Sequence, residues 1–89
     1  MACSKERILQ MLLKDLVFTR HALEQMLLPS RRLTESEVEE AIRKGSIIES
    51  RRTPAGEKVI MQSYKPAVCV VLGVSDYLVV ITAWRGARK

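Results

Sequence analysis

The chain carries a single histidine, His21, within the run Phe18-Thr19-Arg20-His21-Ala22. Imidazole is the side chain best suited to move a proton near neutral pH. With Thr19 as N-cap, His21 falls at the second position of a helix, where the dipole disfavours the charged ring and favours a neutral base. At roughly 100° per residue it points about 160° away from Leu23, off the expected apolar stripe of its own helix. A neutral imidazole beside a phosphate can take the proton of a ribose 2′-hydroxyl. The freed oxygen then attacks the adjacent phosphorus, the metal-free route of RNA cleavage. The structural alternative is a ring that bonds a backbone carbonyl or a sheet residue and fixes its helix.

Such chemistry needs cations on the phosphate. Arg20, Arg31, Arg32, Arg51, Arg52, Lys58 and Arg85 are the candidates, because charge-assisted bonds to a scissile phosphate stabilise its transition state. The bases come largely in groups: Arg31-Arg32, Arg43-Lys44, Arg51-Arg52 and the tail Arg85, Arg88, Lys89. Four of the ten acids, Glu35, Glu37, Glu39 and Glu40, crowd into one short stretch. Setting them aside leaves six acids against fifteen bases, a distribution that fits a phosphate-binding surface better than the net charge of +5 alone. The bland reading is a solvated edge, since Lys and Arg on edge strands also block aggregation. Trp84 is able to stack on a base or to plug a strand end, and Glu24 is an alternative base or a plain exposed helix glutamate.

Other chemistries find no support. The four glycines are scattered at turns, so no loop cradles a phosphate, and no Ser/His/Asp or Cys/His set has a supporting spacing. Cys3 and Cys69 are far apart and read as two reduced thiols; with one His they give zinc no ligand set, so neither metal nor cofactor is expected. Eighty-nine residues make one domain, 1–89. No stretch approaches the roughly 18–20 apolar residues of a membrane span, and the charged N-terminus has no secretory h-region. A cytoplasmic protein without membrane association is the expectation.

The elements that must position these groups can be read in order. Ser4 caps a first helix with Ile8, Met11 and Leu12 on one face, ending near Lys14-Asp15. A short extended piece, Leu16-Val17-Phe18, follows. Thr19 caps the second helix, whose stripe is Leu23, Met26 and Leu27, with Phe18 and Leu23 placed as a staple and Pro29 as its stop. Thr34-Glu35-Ser36-Glu37 is a capping box, with Leu33 and Val38 as staple, Arg43 and Lys44 in the last turn and Gly45 after it. From there the period is β: Ser46–Ser50, the turn Thr53-Pro54-Ala55-Gly56, Lys58–Gln62, Val68–Leu72 and Tyr77–Trp84. These connections are too short for parallel crossovers, so an antiparallel meander is expected. The two last runs are apolar on both faces, which places helices over one face and another cover, a partner subunit among the candidates, over the other.

This order of elements resembles an uncharacterised small bacterial domain-of-unknown-function family with the signature S/T-x-H-A-x-x-R-M … R-G-I-S-x-x-E-V, a family grouped with RelE/ParE-like toxins. The resemblance rests on Thr19, His21, Ala22 and Met26, on Thr34, Glu37, Val38, Ala41 and Gly45, and on Ile81, Thr82 and Trp84. It implies an α+β, RelE-like fold in which three N-terminal helices precede a four-stranded antiparallel β-meander. It also implies a small toxin-like ribonuclease neutralised by an acidic antitoxin-like protein. Two departures stand out. Gln25 holds the signature's first Arg position, and the tight Arg-Gly-Ile link is replaced by Pro29-Ser30-Arg31-Arg32-Leu33. Trp84 also stands where the family tends to have Tyr, removing a phenolic proton donor.

The expectation is therefore a basic α+β protein that contacts RNA and cleaves it without a metal, with His21 as base and arginines as clamps. The alternative is a non-catalytic interaction module, either a homodimer through the sheet or a complex with a partner protein.

Overall fold

Ser4 opens the first helix by accepting a bond from the Arg7 amide, and α1 (Lys5–Leu12) buries Ile8 and Leu12. The chain turns at Leu13, where the Lys14 and Asp15 amides both reach back to the Met11 carbonyl. β1 (Leu16–Phe18), α2 (Arg20–Met26), α3 (Glu35–Lys44), β2 (Ser46–Thr53), β3 (Gly56–Ser63), β4 (Val68–Val74) and β5 (Leu78–Arg85) complete the order. This is a computed structural model in which residues 4–86 are described; Cys3 and the tail residues Arg88 and Lys89 lie outside them.

The capping box of α3 is fully formed. The Thr34 hydroxyl accepts from the Glu37 amide, and the Glu37 carboxylate accepts from the Thr34 amide. Val38, Ala41 and Ile42 form its buried side. On α2 the buried side is Ala22 and Met26, not the expected Leu23-Met26-Leu27 stripe; Leu23 is 37% and Leu27 78% exposed. The cause lies at the helix start. The Thr19 amide and hydroxyl both donate to the Val80 carbonyl, which fixes how α2 is rotated about its axis before any leucine can choose a side.

The sheet corrects the expected architecture. It is five-stranded and mixed, in the order β1-β5-β4-β3-β2, with β1 parallel to β5. It is not a four-stranded antiparallel RelE-like meander with all helices first. A strand precedes two of the three helices, and everything from α2 to β4 serves as the long crossover that parallel pairing requires. Three residues are too few to display a strand period, so Leu16–Phe18 reads only as an extended link until Val80 and its neighbours are in place.

All three helices lie on one face. Ile8, Leu12, Ala22, Met26, Leu33, Val38, Ala41 and Ile42 pack with Val59, Met61, Val70, Leu72, Leu78 and Val80 in one continuous core. A smaller cluster of Ile60, Cys69 and Val71, flanked by Ile81 and Trp84, occupies the opposite face and contains no helix residue. That face is open.

Candidate nucleic-acid interface

Cross-strand register decides which side chains share the open face. Residues directly opposite in a ladder point the same way. Arg51 is paired with Lys58, Lys58 with Gly73, Gly73 with Val79 and Val79 with Val17, so these five form one row across the sheet. A second row runs Glu49, Ile60, Val71, Thr82, and a third runs Ser46, Gln62, Cys69, Trp84. A register shift between Val71 and Leu72 leaves Ile81 unpaired on β5, and its side chain joins the open-face cluster.

This face therefore has a buried apolar centre, a half-buried apolar flank of Val79 and Ile81, and two exposed cations at one end. Arg51 and Lys58 are both exposed and stand directly opposite one another. No ion pair or side-chain hydrogen bond among the described residues involves either one. Like charges placed opposite in a ladder destabilise it. Between this pair and Ile81 lies a depression of about 250 Å³, with Gly73 among the residues lining it.

The other predicted cations are elsewhere or occupied. Arg52 is one step along β2, so it projects to the other face, opposite Glu57. Arg20 pairs with Glu24 at 3.2 Å, with both side chains well exposed, so the bond adds little. Arg31 donates to the Thr82 hydroxyl at 3.4 Å and to the Ala83 carbonyl at 3.1 Å. Arg85 donates from Nε to the Arg31 carbonyl at 2.7 Å, and from Nη2 to the Arg32 carbonyl and a Glu37 carboxylate oxygen, both at 2.8 Å. Together these two guanidinium groups fasten the α2–α3 loop to the end of β5. Arg32 is exposed within that loop, at a φ of 43°. The Arg85 bond, followed by the Thr34 amide, holds the Glu37 carboxyl below its usual range.

His21 is exposed in the first turn of α2 and makes no hydrogen bond or ion pair among the described residues. It sits beside the β5 edge, because Thr19 is bonded to Val80. Arg51 is on β2, three strands further across, or roughly 14 Å at the usual strand spacing. The imidazole and the Arg51-Lys58 pair thus do not face one phosphate. The only predicted cations near the far end of α2 are Arg31, Arg32 and Arg85, two of which are spent on carbonyls.

Sequence reasoning named Arg51 and Lys58 separately and missed Gly73, Val79 and Ile81. A signal for the pair was present: closing the turn at Thr53 and Gly56 carries Arg51 to Lys58 two steps along. A second depression, of about 280 Å³ between α3 and the β3–β4 loop, was not foreseen either. It brings together Glu37, Glu40, Lys44, Tyr64 and Lys65 and contains none of the predicted site residues. Among the described residues no cluster of His, Cys, Asp and Glu could hold a metal, and no helix is long and apolar enough to cross a membrane.

Fold and site together describe a small α+β domain with one helix-covered and one open sheet face. Residues 18–85 match the family described as a domain of unknown function, DUF4258, and the chain belongs to that family. No curated protein and no solved structure gives a match.

Proposed function

We propose that this protein binds single-stranded RNA across the open face of its sheet. The observation that carries the reading is the Arg51-Lys58 pair: two opposed, exposed cations without a partner among the described residues, at the edge of the apolar cluster. An anion between them would offset their mutual repulsion and satisfy donors that have no acceptor among the described residues. The half-buried patch of Gly73, Val79 and Ile81 beside such an anion site suits an unstacked base on a phosphate chain. Glu49, one row away on the same face, restricts the anion to the end of the face nearest the β2–β3 turn.

Cleavage is the finer reading. It would use His21 as base, acting on a phosphate near the start of α2 and not on one held by Arg51. The toxin-like role and the acidic neutralising partner would follow only from cleavage. Pairing of two copies through the same face is the competing interaction reading, favoured by the apolar cluster of Ile60, Val71 and Ile81.

Titration of a labelled oligoribonucleotide across salt concentrations tests the proposal. Each lost phosphate contact lowers the logarithmic salt slope by about 0.7. Arg51→Ala and Lys58→Ala should each do so, while His21→Ala leaves the slope unchanged and abolishes any strand scission. A salt-independent wild type removes RNA binding. A dimer by size exclusion that RNA does not displace favours self-pairing.

A further inference from the structure

We infer that Gly73 keeps open a seat for a nucleobase, next to the cations that hold the phosphate of the same nucleotide. The inference rests on the RNA-binding reading and deepens it.

Glycine in the interior of a strand is a poor choice, because it loses the most conformational freedom on folding and packs nothing. Two other glycines here have a reason supplied by the protein itself. A Cβ on Gly45 would lie 2.5 Å from the Ala41 carbonyl oxygen, and one on Gly56 would lie 2.3 Å from that of Val74, at a φ of +142°. Gly73 has no such reason. A Cβ there would meet nothing nearer than Ile81 Cδ1 at 3.5 Å, an ordinary contact, in an extended β4 backbone paired on both sides. The fold would accept a side chain at this position, yet the position is bare. A glycine inside a strand marks a bulge or a close approach by a ligand or another backbone; the β5 bulge sets Ile81 to one side of Gly73, and the bare position beside it takes a ligand.

The neighbours say which ligand. Gly73 lies between Val79 and Lys58 in the first row of the open face, with Arg51 next beyond Lys58. Val79, Ile81 and Lys58 line the depression with Gly73, and so do Thr53, Ser75 and one acid, Glu57. A flat ring laid on the Gly73 backbone would touch Val79 and Ile81. Its phosphate would fall toward Lys58, one strand spacing or about 4.8 Å away. The juxtaposition of a flat apolar seat and an anion site at that interval fits one nucleotide of a chain. A bare anion has no use for the seat, and an apolar peptide has none for the cations.

The test uses fluorescence anisotropy with a labelled single-stranded oligoribonucleotide and a matched abasic oligomer that keeps the sugar-phosphate chain. Gly73→Ala and Gly73→Val should weaken binding of the base-bearing RNA, the larger side chain by roughly tenfold. The salt slope should be unchanged, because no phosphate contact is lost. Binding of the abasic oligomer should be the same for wild type and both variants, and weaker than wild type with base-bearing RNA. Thermal melts should show Gly73→Ala at least as stable as wild type, which separates lost binding from lost fold. Equal wild-type affinity for the two oligomers overturns the seat whatever the variants do. Undiminished RNA affinity in Gly73→Ala and Gly73→Val, with Arg51→Ala still lowering the salt slope, overturns the seat and leaves RNA binding standing. A wild type with no salt-dependent affinity removes both.

Discussion

Arg31 and Arg85, at one end of the molecule, and Arg51 and Lys58, at the opposite sheet edge, are four cations with two different fates. The first two are surrounded by acceptors: the carbonyls of Arg31, Arg32 and Ala83, the Thr82 hydroxyl and the Glu37 carboxylate. They fasten a loop to a strand. The second two face each other with no acceptor between them. Charge of one sign has thus become structural adhesive where the backbone bends and leaves carbonyls exposed. On the edge strand β2 and its neighbour β3 no acceptor among the described residues takes it up, and it stays available to an outside anion. Local backbone geometry, more than residue type, separates a basic residue that holds the fold from one that is free to bind.

The comparison can be broken most sharply at Arg85. Arg85→Ala strips two bonds from the α2–α3 loop and one from Glu37 of α3, and should cost about 2 kcal/mol in urea unfolding, after allowance for partial exposure. Its effect on RNA binding should be no more than that of one remote charge. Gln62→Leu sharpens the same contrast on the open face. Gln62 is almost fully buried and its amide serves the carbonyls of Ser63, Val68 and Gly86 at 2.9, 3.3 and 3.0 Å. Losing that donor should cost about 1–2 kcal/mol, read in the same unfolding curves.

Glu37 supplies a pH test of the fastened loop. Its carboxyl is held below the ordinary value of 4.5, first by the Arg85 bond and then by the Thr34 amide. A depressed folded-state pKa contributes stability that is fully present above the unfolded value and is lost as pH falls through the folded one. Wild type should therefore exceed Glu37→Gln in thermal stability at neutral pH, and the gap should close as pH drops below about 4.5. A constant gap would detach the carboxylate from the fastening. The smallest effect belongs to the other pair. Arg51→Ala and Lys58→Ala should leave stability within about 0.5 kcal/mol of wild type, or raise it slightly by relieving repulsion. A substantial loss would show that these cations also hold the fold.

Much of this was readable where local chemistry decides local structure. Thr34 and Glu37 announce α3, Ser4 and Thr19 announce the starts of α1 and α2, and the turn after Thr53 carries the register that aligns Arg51 with Lys58. Features set by distant partners were not readable. Leu23 and Leu27 looked like a core stripe, but the bond from Thr19 to Val80 turned Ala22 inward instead. Arg31 and Arg85 looked like phosphate ligands because their acceptors lie more than fifty residues away in sequence or in a loop of unknown path. Gly73 read as a turn residue, since its place inside a strand follows only from pairing with Lys58 and Val79. His21 was expected away from a leucine stripe of its helix, and it is exposed although the buried side is Ala22 and Met26 instead.

The parallel bond between the first strand and the last has a consequence for how the molecule is made. Leu16–Phe18 and the start of α2 have no lasting partner until residues 78–82 leave the ribosome, because both lean on β5. The chain through β5 must be synthesised before these segments can settle, and closing so distant a contact is slow. Ribosome-stalled chains lacking β5 should leave that N-terminal portion open to protease, even if the β2–β4 hairpins have already formed.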